Sequence, residues 1–226
     1  APISVRARNG QWYSYSPGAI LGGNALLGEI IAASNGYKWL IRPRATGLLV
    51  FNDNGTLADS GDDQYKLITT AEGSGGLPSI DVLSIAEDLE GQIWVGTNKG
   101  VAVFYNPSDL FSSAPSDAQQ ILIEQDGNVQ ILLETEFISA IAVDGANRKW
   151  IGTQTGGVFL ISADGRAQIA RFTAANSPLL SNTINAIAIE GSSGEVFIAT
   201  DRGIVSFRSD AIDPSESASC AKVFPN

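Results

Sequence analysis

Hydrophobic and polar positions alternate with period two along most of this chain, and the alternation comes in recurring groups. One run reads Val82-Leu83-Ser84-Ile85-Ala86-Glu87, and another Ile138-Ser139-Ala140-Ile141-Ala142-Val143. A third, Ile184-Asn185-Ala186-Ile187-Ala188-Ile189, is displaced by one residue within its unit. Runs of this length and period predict half-buried β-strands. Each leads into turn residues: Glu90-Gly91, Gly145-Ala146-Asn147 or Ser192-Ser193-Gly194, with Asn35-Gly36 at the same place earlier in the chain. Gly and Asn reach positive φ, so these sites predict tight hairpins.

After each hairpin comes a second apolar run built on an aromatic residue. The copies are Lys38-Trp39-Leu40-Ile41, Ile93-Trp94-Val95-Gly96-Thr97, Lys149-Trp150-Ile151-Gly152-Thr153 and Val196-Phe197-Ile198-Ala199-Thr200. A short loop then leads into a third run, Gly47-Leu48-Leu49-Val50-Phe51, Gly100-Val101-Ala102-Val103-Phe104, Gly157-Val158-Phe159-Leu160-Ile161 or Gly203-Ile204-Val205-Ser206-Phe207. Ile30, Ile85 and Ile141 each stand nine residues before their Trp. Less regular fourth strands are expected at Tyr65 to Thr69, Val129 to Glu134 and Ile169 to Thr173, and Trp12 to Ser16 reads as a further copy placed before the first unit. A Ser/Pro/Asp loop, Pro107 to Ser116, interrupts the second unit, and no segment shows a convincing helical period.

Four antiparallel strands repeated about every 50 residues predict an all-β chain of β-propeller blades. A blade has two faces and cannot bury both alone, so the Trp and the upstream Ile are expected between blades. Blade cores are expected near 28–70, 80–134, 138–173 and 184–209, all within a propeller over 1–209, with 210–226 a linker or tail. Two arrangements stay open. The strand Trp12 to Ser16 pairs with Ile204 to Arg208 and closes the ring, or the units belong to a larger propeller.

Composition narrows the chemistry. The 226 residues carry a formal charge of −10, no His, no Met and one Cys. Without His there is no Ser-His-Asp triad, Cys-His pair or His-ligated metal. One Cys excludes an internal disulfide and a CxxC cluster, and Cys220 reads as an inert thiol in the tail. The acidic balance argues against nucleic acid, and no apolar stretch approaches the roughly 20 residues of a membrane-spanning helix. The missing Met points to a processed product or a piece of a longer protein.

Carboxylates occur at Asp62-Asp63, Glu87-Asp88, Asp53, Asp59, Asp144 and Asp201, mostly where turns are expected, and read as turn caps rather than a glycosidase pair. Asn52-Asp53-Asn54-Gly55 lacks the spacing and Glu of a calcium loop and reads as a hairpin turn. No catalytic residue, metal site or cofactor is expected. Trp12, Tyr13 and Tyr15 offer flat faces for a sugar ring, although alternation should bury part of the set. Arg42, Arg44, Arg148 and Lys149 suit either bidentate contacts to anionic glycan phosphates or the protection of sheet edges by charge.

The units resemble the two-component regulator propeller repeat of Bacteroidetes sensory proteins. The second unit matches that pattern at Asp88, Gly91, Trp94, Gly96, Thr97 and Gly100, and the third at Asp144, Trp150, Gly152, Thr153 and Gly157. The first departs from it, with Arg42-Pro43-Arg44 in place of Gly-Thr; the last keeps Thr200 but puts Phe197 in the Trp position. Asn147 to Thr153 and Asn176 to Asn182 are also similar to PorZ-like proteins of the type IX secretion system, in which Val-Phe-Pro-Asn, here Val223 to Asn226, opens a C-terminal sorting domain. That resemblance implies a non-catalytic binding or scaffold domain at the periplasm or cell surface. Its implied partners are other surface-complex proteins or anionic lipopolysaccharide, with no nucleic acid and no membrane insertion. The alternative is the periplasmic oligosaccharide-sensing propeller of a hybrid two-component regulator. A carboxylate-based glycan hydrolase or lyase comes after both, and the His-dependent lyases that share the propeller are excluded by composition.

Overall fold

A computed structural model describes residues 3–21, 26–44, 46–125 and 127–213. Cys220 and Val223 to Asn226 lie outside the described residues. The chain is all-β, as the alternation predicts, with only two short 3-10 turns among the described residues, Gly18–Leu21 and Pro107–Phe111.

The first complete blade is β3 (Ile30–Ala32), β4 (Lys38–Ile41), β5 (Leu48–Asn52) and β6 (Gln64–Ile68), antiparallel and in chain order. The second is β7 (Val82–Glu87), β8 (Ile93–Thr97) and β9 (Gly100–Phe104). Its fourth strand is not Val129 to Glu134, as the sequence reading expects. The outer edge of β9 is met by Gln119 through a single bridge to Val103. The later segment folds on itself as a separate hairpin, β10 (Leu122–Gln125) with β11 (Asn128–Ile131). A short connection with Gly127 at a positive φ of 75° brings two alternating runs within reach of each other, and this local pairing wins over the longer return to the blade. The third blade is complete: β12 (Ile138–Val143), β13 (Lys149–Thr153), β14 (Val158–Ile161) and β15 (Gln168–Phe172). The fourth shows three strands, β16 (Ile184–Glu190), β17 (Glu195–Thr200) and β18 (Gly203–Arg208). Its one-residue displacement is an extra residue in the first hairpin, since Phe197 pairs with Ala188 whereas Trp94 pairs with Ala86 and Trp150 with Ala142.

Of the two arrangements left open by the sequence, closure of the ring by the N-terminal strand is not formed among the described residues. The N-terminal strand β2 (Trp12–Tyr15) pairs with β1 (Ile3–Arg6), in the register Ile3↔Tyr15 to Arg6↔Trp12, and not with β18. A short turn makes this hairpin a local event. Its apolar side, Ile3 and Tyr15 with the half-buried Val5 and Tyr13, covers the outer face of the first blade at Leu40, Leu49 and Phe51. The hairpin therefore stacks on the blades as a further, shorter layer.

Apolar layers hold successive blades together, and the repeat aromatic explains them. Trp39 lies with Val82, Ile85 and Phe104 of the next blade. Trp94 lies with Ile138 and Ile141 of the third blade, and Trp150 with Ile184, Val196 and Ile198 of the fourth. All three indoles are essentially inaccessible. Burial of each stabilises the stack by on the order of 5 kcal/mol. Ile30, unlike Ile85 and Ile141, is exposed; its neighbour Ile31 turns to the core instead.

Gly96 and Gly152 follow from the same stacking. A Cβ on Gly152 would stand 2.5 Å from Cγ2 of Ile184, and one on Gly96 2.6 Å from Cγ2 of Ile138. In each case the Ile belongs to the following blade. In the fourth copy the same position is Ala199, on a face that no described blade covers. Thr97, Thr153 and Thr200 close the turn after β8, β13 or β17, each hydroxyl donating to the carbonyl of Gly100, Gly157 or Gly203.

Candidate functional site

The first hairpin of the second and third blades is built around one carboxylate. Asp88 accepts the backbone N–H groups of Glu90 and Gln92 on one oxygen and the indole N–H of Trp94, at 3.0 Å, on the other. Asp144 does the same with Ala146, Arg148 and, at 3.1 Å, Trp150. The carboxylate thus fixes the turn and anchors the indole that reaches into the next blade. In the first blade Ala33 occupies this place, and Trp39 Nε1 is buried without a partner. In the fourth the aromatic is Phe197, which has no N–H to satisfy.

The sequence reading makes Lys149 an edge charge or an anion contact. It is neither. Its ammonium is fully buried between the second and third blades, 2.9 Å from the carboxylate of Asp88, bonded to the carbonyl of Ala163 and 4.6 Å from the Trp94 ring centroid. Alternation carries the signal: Lys149 stands one residue before Trp150, where the second and fourth copies have the buried Ile93 and Val196.

Arg148 bridges Asp144 at 2.8 Å and Asp210 at 2.7 Å, tying the start of the 210–226 segment to the third blade. Burial alone would make its guanidinium easier to deprotonate, but the two carboxylates reverse this and hold its pKa above the ordinary arginine value. Arg42 and Arg44 share the turn between β4 and β5. Arg42 donates to the carbonyl of Thr46, and Arg44 is exposed with a positive φ of 67°.

The three N-terminal aromatics do not share a face. Tyr15 is buried, its ring 4.7 Å from that of Phe51 and its hydroxyl donating to the carbonyl of Leu57. Tyr13 is half-buried on the same side, and Trp12 is exposed on the opposite one. Asn52-Asp53-Asn54-Gly55 is the expected hairpin turn, with positive φ at Asn54 and Gly55 and the Asp53 carboxylate accepting the Gly55 N–H. Asp53 also pairs with Lys38 at 2.7 Å. Burial works against its charge, yet the Lys38 ammonium and the backbone donor outweigh burial and lower its pKa.

The first strands of the blades lie side by side, and they enclose a polar cavity that the sequence did not reveal. Glu29, Ser84, Ser139 and Asn185 supply its polar groups, and its volume is about 280 Å³. The serine hydroxyls donate across blades, Ser84 to the carbonyl of Ile138 and Ser139 to that of Ile184. Partial burial raises the pKa of Glu29 against the opposing hydrogen bond from the Ile85 amide, although more than a third of its surface stays open to solvent. One carboxylate with hydroxyls and an amide can bind a small polar ligand, but it does not form the opposed carboxylate pair of a glycosidase. Among the described residues no group of three or more His, Cys, Asp or Glu is placed to hold a metal ion. No helix among them is long and apolar enough to cross a membrane.

Residues 76–99 match the two-component regulator propeller family, so the chain carries that repeat where Asp88, Trp94, Gly96 and Thr97 stand. Among the curated proteins no relative matches the sequence. Among solved structures, the chain is similar to PorZ, described as an essential bacterial surface component of the type IX secretion system of Porphyromonas gingivalis. The identity is 30% and the TM-score 0.79, over 93% of this chain and 29% of that one. It is also similar to the extracellular domain of a hybrid two-component system of B. thetaiotaomicron, at 26% identity and a TM-score of 0.61, over 91% of this chain and 25% of that one. A gluconolactonase of Xanthomonas campestris shares the fold alone, at 13% identity and a TM-score of 0.55, over 91% of this chain and 64% of that one. This chain thus spans under a third of the length of the first two.

Proposed function

We propose that this propeller is a non-catalytic binding or scaffold domain of a bacterial surface protein that works in type IX secretion or cell-surface attachment. The likeness to PorZ carries the reading, because it joins 30% identity to a TM-score of 0.79 over 93% of the chain. The chemistry of the chain agrees. It has no His, and the Asp88 and Asp144 carboxylates are committed to backbone and indole donors. In this reading the propeller accounts for residues 1–209. Its location is the periplasm or the cell surface.

Partners of this reading are other proteins of the surface complex or anionic lipopolysaccharide. A net charge of −10 opposes an anionic ligand, so that contact falls to local cations. Arg148 is engaged by Asp144 and Asp210, which leaves Arg42 and Arg44, together on one turn. Trp12 is the aromatic open to a sugar ring. Vesicles carrying anionic lipopolysaccharide should retain the purified protein, and the double variant Arg42→Gln/Arg44→Gln should bind at least tenfold more weakly. Equal binding of wild type and variant would remove lipopolysaccharide as the ligand of this turn.

A sensing propeller of a hybrid two-component regulator is the second reading, favoured by the likeness to the B. thetaiotaomicron extracellular domain. It places an oligosaccharide at the cavity around Glu29, and calorimetry with a panel of neutral oligosaccharides separates it from the first.

A further inference from the structure

The cavity beside the first strands is ringed by one position of the repeat, although the residue at it changes from blade to blade. Glu29 lies opposite Ile41, whose N–H donates to its carbonyl. At the same place Ser84 pairs with Gly96, Ala140 with Gly152 and Ala186 with Ala199. All four line the cavity. In the second, third and fourth blades a bulge precedes this position, and the register skips Leu83, Ser139 and Asn185. A bulge leaves its extra residue unpaired and re-aims the side chain, and these three line the same space.

The first three blades thus each bring one side-chain oxygen group to the cavity: Glu29, Ser84 and Ser139. Each is an acceptor there. A hydroxyl has one proton to give and two lone pairs. Ser84 gives its proton to the carbonyl of Ile138, and Ser139 gives its own to that of Ile184. Only lone pairs remain for a ligand. The Glu29 carboxylate has no proton to give, and the Asn185 amide can turn its carbonyl oxygen the same way.

Glu29 is also the single charged residue lining the cavity. Among the described residues the ammonium and guanidinium groups that form ion pairs are those of Lys38, Arg148 and Lys149, and none of them pairs with Glu29. With more than a third of its surface open to solvent, Glu29 keeps its charge. Leu83, Ile141 and Ile187 make an apolar wall beside it.

We propose that this cavity binds a small primary amine in its ammonium form, the charged head on Glu29, Ser84 and Ser139 and a short hydrocarbon body along Leu83, Ile141 and Ile187. An ammonium carries three N–H donors, no acceptor and one positive charge. It matches three acceptor groups and one negative charge. A carboxylate or phosphate would meet the like charge of Glu29 and find no side-chain donor except the Asn185 amide. An alcohol can donate one hydrogen bond but brings no charge, and hydrogen bonds between charged partners are the stronger ones. The net charge of −10 draws a cation toward the chain as well. This preference depends on neither of the functions proposed above.

The probe is n-butylammonium chloride, with 1-butanol and sodium butanoate as analogues of the same length and sodium chloride as the control for ionic strength. Backbone amide shifts of the 226-residue protein are followed by NMR at pH 7. The ammonium should shift the amides of Ser84, Ser139 and Asn185 to saturation, at least about tenfold more tightly than 1-butanol, and butanoate should leave them in place. Glu29→Gln keeps the size of the side chain, removes its charge and should weaken ammonium binding at least about tenfold. Ser139→Ala removes one acceptor, keeps the charge and should weaken it about threefold. Amides far from the cavity report whether each variant is folded. Equal binding of 1-butanol and the ammonium, or equal binding by wild type and both variants, overturns the proposal. So do shifts that sodium chloride reproduces, shifts that gather at other carboxylates, or no saturable shift with the ammonium.

Discussion

Trp39 and Trp94 occupy the same repeat position and are equally buried, but only one has a partner for its N–H. Trp94 donates to Asp88, and Trp39 Nε1 is an orphan. Replacing an unsatisfied buried polar group by an apolar one of similar shape is nearly neutral or favourable, and losing a hydrogen bond to a charged group costs about 1.5–3 kcal/mol. Trp39→Phe should therefore be at least about 1 kcal/mol less destabilising than Trp94→Phe, as read by urea unfolding of the two variants. Asp53 makes a pH prediction at the same scale. Its pKa is lowered in the fold from 3.8, burial opposing and Lys38 prevailing. A depressed carboxylate contributes stability that is complete above its unfolded value and is lost as the pH falls through the lower folded one. The Tm advantage of wild type over Lys38→Met should hold steady above about pH 5 and shrink below about pH 4, as followed by thermal unfolding between these limits.

Within and between elements, stacking decides which substitutions are tolerated. Gly152→Ala puts a methyl against Ile184 of the next blade and should cost about 1–3 kcal/mol by overpacking, measured by thermal unfolding. The Asp88–Lys149 pair joins the second and third blades with both side chains fully buried. Asp88→Ala alone leaves an uncompensated buried ammonium and should cost about 3–5 kcal/mol, and Asp88→Ala/Lys149→Met should recover part of that loss in a double-mutant cycle. Blade strands are legible in the sequence because alternation, turn residues and the Trp position repeat together. Between Ile121-Leu122-Ile123 and Ile131-Leu132-Leu133 the sequence also shows a turn at Asp126-Gly127, but which strand each run pairs with is not legible, because an alternating run does not state its partner: Trp12 to Ser16 fits β18 as well as Ile3 to Arg6 by pattern, and the short turn decides. Lys149 is misplaced when its charge is weighed ahead of the alternation that buries it. The cavity around Glu29 is hidden because its polar groups come from four separate segments, in no sequence pattern.

Across the whole molecule, the two ends of the stack differ. The N-terminal hairpin turns Ser4, Arg6, Trp12 and Ser14 outward, a mostly polar surface. The other end presents Phe197 and Ile204, 40% and 70% exposed, where every earlier copy of the repeat aromatic is buried. The blades are bonded by indoles, two of them held by the turn carboxylates Asp88 and Asp144. The most direct measurement is delivery of type IX cargo to the surface of the source bacterium after deletion of the gene. Cargo should fail to reach the surface and should return when the wild-type gene is restored. Normal cargo delivery by the deletion strain would contradict a role in surface secretion.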